Sequence, residues 1–196
     1  TTSSGTVRAD SLRVEPFNLM PTWKSYDTPT LAGPFAQLTT AAIDAGIARA
    51  ALNDTVSFVN QFARPWIDAG VERAGDDPLT VYQIGALDSR LAAADALLEQ
   101  AGKVLDRYKH DLSEEAVALA SIAVARAKIF TTEAALEAAT RLFELGGTRP
   151  THPRDNSDRN GRNGRGHTLH DPVRWKYNLL GNWVLNGKRP ARHDWN

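Results

Sequence analysis

The sequence contains no cysteine and a single methionine. The missing thiols exclude disulfides, cysteine-ligated zinc, iron–sulfur clusters and thiol catalysis, and they are compatible with a cytoplasmic setting. No run of about 18 apolar residues occurs, so no membrane-spanning helix is expected. An excess of one charge is also missing: 23 Lys plus Arg stand against 23 Asp plus Glu. That balance gives no support to a nucleic-acid binder that works by neutralising phosphates. The opening TTSSGTV has neither an initiating Met nor a signal-peptide pattern. Dinucleotide-binding GxGxxG, Walker, nucleophile-elbow and HExxH motifs are absent too, which leaves P-loop and serine-hydrolase chemistry without motif support.

What is present suits one medium domain, with 196 residues of which 42% are hydrophobic. Residues 1–20 read as strand-like, with Thr6 to Arg8 and Leu12 to Val14 forming a short hairpin. Two isolated strands are marginal in water, so this piece calls for a sheet the chain does not contain. Residues 21–32 form a linker with Trp23 and Tyr26 as packing anchors. A long helix is expected over 33–63, with Pro34 in its first turn and Gly46 at a close helix contact. Pro65 ends it. A second spans 79–109, where Ile84, Leu87, Leu91, Leu98 and Leu105 recur at helical spacing. After a tight corner, Ser113 caps a third helix over 114–145, rich in alanine and stopped by Gly146 and Gly147. Residues 146–166 break every pattern. A last helix covers 170–185, with Asp171 and Pro172 as N-cap and first helical residue. The tail, 188–196, is ordered only if something packs on Trp195.

Helices of about 30 residues are about 45 Å long, and short corners force antiparallel neighbours. The expected fold is therefore all-α: an antiparallel four-helix bundle over 33–187, preceded by the strand remnant and linker. Alanine content suits close helix packing, including packing against another subunit.

Two segments could carry chemistry. In 146–166, five arginines (149, 154, 159, 162, 165) lie among five glycines and two prolines. Exposed backbone N–H groups and guanidinium forks suit a phosphate. A flexible solvated loop and an RNA-binding segment are the competing readings, and the lack of aromatics weakens the latter. Next comes His167-Thr168-Leu169-His170-Asp171. Two histidines three residues apart share a helix face, which suits proton transfer. Structural capping competes with that reading. A metal site would have to draw further ligands from His152, Asp155 and Asp158, and none is expected. Arg64 stands at a helix end, as a dipole partner or a phosphate contact. Arg90, Asp88, Asp95 and Asp44 read as interhelical salt bridges.

With these residues in place, a family signature emerges. DRNGRNGRGHTLHDPVRWKYNLLGNWVLNG at 158–187 resembles the C-terminal region of acyl-CoA dehydrogenase-like flavoproteins, nearest the dibenzothiophene monooxygenase and sulfur-acquisition oxidoreductase branch. SGTVRADSLRV at 4–14 looks like the end of the middle β-domain. ARPWIDAGVERAGDDP at 63–78 and TTEAALEAATRLFELGG at 131–147 also agree. The resemblance covers almost all of this chain but about half of such a protein. It implies absent N-terminal helical and β-domains, and a homo-oligomer, dimer or tetramer, formed through the bundle.

The resemblance implies a reduced-flavin-dependent monooxygenase acting on a small organosulfur compound. FMN or FAD would be the cofactor, bound weakly or not at all by this chain alone, and a flavin reductase would be a partner. His170 would protonate an oxygenated flavin, with His167 and Asp171 orienting it. Arg64 would approach the flavin phosphate, Gly146 and Gly147 would pass close to the flavin, and Arg162, Asn163 and Arg165 would border the pocket. The family pattern is roughly DRxWRNARTHTLHDP. Gly161, Gly164 and Gly166 depart from it, which implies a less ordered loop. Only Asp155 and Asp158 lie where many acyl-CoA dehydrogenases carry their catalytic carboxylate, which favours oxygenase chemistry. An FAD-dependent acyl-CoA dehydrogenase and a non-catalytic helical assembly module are the alternatives.

Overall fold

The computed structural model describes residues 5–196. Three long helices organise it: α1, Ala32–Gln61; α2, Pro78–Tyr108; and α3, Glu114–Gly146. Their ends follow local chemistry. Pro34 sits in the first turn of α1. Asp77 accepts the Leu79 N–H at 2.9 Å ahead of α2, with Pro78 as first helical residue. Ser113 accepts the Ala116 N–H at 3.2 Å ahead of α3, followed by Glu114 and Glu115. Gly147 stops α3 at φ 71°, a conformation that favours glycine.

Helix α3 is central and packs on α1 and α2 along its length. Alanine makes this possible: Ala48, Ala51, Ala94, Ala135 and Ala138 meet around Leu52, Leu87 and Leu91 in one core cluster. Ala101, Leu105, Ala120, Val124 and Ala127 form a second. Small side chains let helix axes approach, so dense packing is reached with few large residues.

The all-α bundle is as expected, but its fourth position is filled by two short helices: α4, Asp158–His167, and α5, Arg174–Asn186. Several expectations need correction. The hairpin is not formed: no strand occurs among the described residues, and Val7 is 92% exposed. Two short strands with no third partner bury too little to hold their backbone in place. Residues 1–4 of that segment lie outside the described residues. A Cβ at Gly46 would meet nothing within 4 Å, so no close helix contact explains that glycine within the chain.

The stretch 146–166 is not a patternless loop. Short turns at Arg149–Thr151 and Pro153–Asp155 lead into α4. Glycine costs a helix about 1 kcal/mol against alanine, and α4 holds three. Tertiary anchoring offsets this. Arg159 Nη2 and Asn160 Nδ2 donate to Asp54 Oδ2 on α1 at 2.6 and 2.8 Å. At Gly164 the absent Cβ would lie 3.5 Å from Ile47 Cγ2, in ordinary van der Waals contact. The tail is docked as well. Tyr26 and Gln37 bond to Asp194, while Arg192 pairs with Glu114 and donates to the Asp27 carbonyl. A Cβ at Gly33 would stand 2.5 Å from the His193 carbonyl oxygen, so glycine is needed where the tail crosses α1.

Candidate functional site

Helix α4 lies against α1 and α3, and its C-terminal end delivers His167 to their seam. The chain then tightens: Thr168 N–H donates to the Gly164 carbonyl at 2.9 Å, and His170 N–H to the His167 carbonyl at 3.1 Å. The rings of His167 and His170 meet edge to face, with centroids 5.5 Å apart. The next residue, Asp171, turns inward. It is not the N-cap expected of it; Val173 takes that position.

The inward turn completes a buried chain of charges. Asp44 of α1 and Lys128 of α3 are both fully buried and pair at 2.9 Å. Thr132 Oγ1 donates to the same Asp44 oxygen at 2.8 Å. The other Asp44 oxygen, Oδ1, lies 2.6 Å from Nδ1 of His167. Lys128 also faces Asp171 at 3.9 Å, and Asp171 faces Lys176 of α5 at 3.2 Å. Neither Asp171 oxygen has a hydrogen-bond partner of ordinary geometry, so charge alone holds that carboxylate. Two carboxylates and two ammoniums balance, as burial demands. Burial pushes the Lys176 ammonium below the usual lysine range; Asp171 opposes this and the Lys128 charge adds to it. Lys176 also donates to the Trp195 carbonyl, tying the tail to the cluster.

Between α5 and the tail lies a cavity of about 470 Å³. Trp175, Leu179, His193 and Trp195 form much of its wall, and His170 and Asp171 reach it from the α4 side. His193, pushed below its ordinary 6.5 by burial and then by the Lys176 charge, faces the same space; Asp194 opposes that shift.

The structure thus brings His167, His170 and Asp171 together. The other expected site residues are dispersed. Arg64 is exposed on the connection after α1. Gly146 is packed, since a Cβ there would sit 2.5 Å from Pro150 Cγ and 3.2 Å from Phe58 Cδ1. Gly147 ends α3 with open space beside it. Arg162 is engaged by Asp158 and by Asn156 Oδ1. Asn163 and Arg165 are exposed on α4. Among the described residues, no side-chain hydrogen bond or ion pair joins Arg64, Asn163 or Arg165 to the cluster. Of the salt-bridge residues, Arg90 meets Glu137, Asp95 meets Arg49, and Asp44 meets Lys128.

Lys128, Thr132, Lys176 and the docked tail escaped the sequence reading. Lys128 did carry a signal: a lone lysine between Ala127 and Ile129 on an apolar helix needs a buried partner. Lys176, flanked by Trp175 and Tyr177, carried none.

Three long helices with two short ones in the fourth position form a helical domain of the acyl-CoA dehydrogenase type. Residues 38–175 match the family described as acyl-CoA dehydrogenase, C-terminal domain, and the chain belongs to that family. It is 37% identical to a dibenzothiophene monooxygenase of Mycolicibacterium goodii over 94% of this chain and 45% of that protein. It is 33% identical to a probable FMNH2-dependent monooxygenase of Pseudomonas putida over 97% of this chain and 49% of that one. The solved dibenzothiophene monooxygenase of Paenibacillus sp. A11-2, in complex with FMN and indole, matches with a TM-score of 0.80 and 32% identity, covering 84% of this chain and 42% of that one. Methanesulfinate monooxygenase of Pseudomonas fluorescens matches with a TM-score of 0.79 and 33% identity, covering 83% and 43%. The chain spans about half the length of the relatives it matches.

Proposed function

We propose that this chain is the helical-bundle part of a reduced-flavin-dependent monooxygenase acting on a small organosulfur compound. Its carrying observation is His170, held open on a cavity wall by a segment anchored in a buried, charge-balanced cluster. The likeness to monooxygenases over nearly the whole chain supports the same reading.

FMN is the cofactor in this reading, and when bound it supplies activation of dioxygen for transfer to the substrate. The residues present fit part of such a group. Arg64 and Arg165 are exposed cations whose guanidinium groups form no ion pair among the described residues, which suits an anionic phosphate. Gly147 leaves open backbone at the end of α3. Among the described residues, neither of these arginines nor Gly147 lines the cavity beside His170. Strong binding therefore calls on segments its relatives carry outside the matched half. Residues 1–20 would then be the end of a β-domain, and the exposed apolar side chains of Leu12, Phe17 and Met20 suit docking of that kind.

In this scheme His170 gives or takes a proton at the cavity. His167 and the main-chain turn between them orient it. Asp171, balanced by Lys176, keeps the segment turned inward. Trp175, Leu179 and Trp195 give the space beside it an apolar wall. A reductase supplies reduced flavin, and a second copy of the bundle packs on exposed apolar faces of the helices. The test is to give the full-length protein reduced FMN, oxygen and either dibenzothiophene or methanesulfinate. Oxygen uptake with an oxygenated sulfur product is expected. Acyl-CoA-dependent bleaching of bound flavin without oxygen, and no oxygenated product, would overturn the proposal in favour of a dehydrogenase.

A further inference from the structure

A fully buried carboxylate beside the histidines has no role of its own in the scheme above. Asp44 has no solvent exposure, and its two oxygens have divided duties. Oδ2 accepts from Lys128 Nζ and Thr132 Oγ1. Oδ1 meets only Nδ1 of His167, at 2.6 Å. An ionised carboxylate can only accept hydrogen bonds. The hydrogen between them must therefore sit on Nδ1 of His167.

Charge balance argues that Asp44 is ionised and the ring neutral. Asp44 and Asp171 face Lys128 and Lys176, two charges against two. A proton on Asp44 would strip the buried Lys128 ammonium of its near partner and leave Asp171, at 3.9 Å. A second proton on His167 would add an unmatched positive charge. A neutral ring with its hydrogen on Nδ1 keeps Nε2 as an acceptor. That ring stands edge to face against His170, so its orientation passes to the histidine on the cavity wall.

We propose that Asp44 is a positioning residue: it fixes His167 as the Nδ1–H tautomer and, through that ring, sets the direction of His170. This rests on the reading of His170 as the proton carrier. A residue that merely ties α1 to α3 would not select a tautomer.

Selective nitrogen-15 labelling of histidine in the full-length protein, with His167 assigned by loss of its signals in His167→Gln, reads the tautomer directly. A protonated Nδ1 and a bare Nε2 are expected. In Asp44→Asn the amide oxygen can serve Lys128 and Thr132 while the amide N–H₂ donates to Nδ1, reversing the tautomer. Oxygenated product should then form about 100-fold more slowly at unchanged KM, the scale expected of a misdirected group. If Asp44→Asn does not fold, Asp44→Asn with Lys128→Met keeps the remaining buried charges matched and serves in its place. A wild-type His167 protonated on Nε2 would overturn the proposal. So would a folded variant whose tautomer or turnover is unchanged. A wild-type protein with the expected tautomer but no oxygenation strikes the monooxygenase reading and leaves the Asp44–His167 assignment standing.

Discussion

Nζ of Lys176 lies 3.2 Å from Oδ2 of Asp171, and both side chains are buried. The pair joins α5 to the end of the histidine segment and, through the Trp195 carbonyl, to the tail. Removing one partner should be much worse than removing both. Asp171→Ala leaves Lys176 facing Lys128 without a counter-charge and should cost about 3–5 kcal/mol. Asp171→Asn combined with Lys176→Met should cost well under that. Denaturant unfolding of the two variants checks the difference.

His170 has the opposite character. It is exposed, and its side chain makes no hydrogen bond among the described residues. His170→Ala should change stability by no more than about 0.5 kcal/mol while removing oxygenated product. Thermal unfolding alongside a product assay separates the two effects, and unchanged product would remove His170 from the proposed scheme.

Two glycines should respond in opposite directions to alanine. At Gly146 the new Cβ would press on Pro150 and Phe58, and a loss of about 1–3 kcal/mol is expected. At Gly161, inside α4, it would meet nothing within 4 Å, so a gain of about 0.5–1 kcal/mol is expected. Stabilisation by Gly161→Ala also tests that this stretch is helical.

Docking of the tail should have a pH window. His193 is held below its ordinary 6.5 by burial first, so an undocked tail takes up a proton sooner. Docking is then favoured above 6.5 and weakens as pH falls below it. Tyr26 is raised from 10.0 to about 12, by burial and then by its hydrogen bond to Asp194. Its contribution is complete below 10.0 and lost as pH rises through about 12. Lys176, pushed down by burial, acts in the opposite direction on the alkaline side. Hydrogen exchange of residues 188–196 should follow the acid limb, and on the alkaline side, where the two groups oppose each other, Tyr26→Phe should remove the tyrosine part.

The long helices were legible because each carries its own instructions. Leu87, Leu91 and Leu105 recur on one face of α2, Ser113 and two glutamates open α3, and Gly147 closes it. Those signals are local, and local hydrogen bonding and helical periodicity enforce them. The three long helices lie within two residues of the expected bounds. The hairpin failed for the converse reason: strand pattern has no meaning without a pairing partner. The ladder of glycines in α4 misled similarly, because a helix can be held from outside by Asp54 and Ile47 against its own propensity.

By itself, then, the sequence determined the three-helix frame and the end of each long element, and it singled out the HTLHD segment as a candidate for proton chemistry. Only the tertiary structure decided what that segment touches. His167 meets Asp44 across 123 residues of chain, and Asp171 turns from a helix cap into a buried counter-ion. A buried charge is tolerated only where an opposite charge arrives at the same point, and that meeting is fixed by how four separate helices and the tail pack.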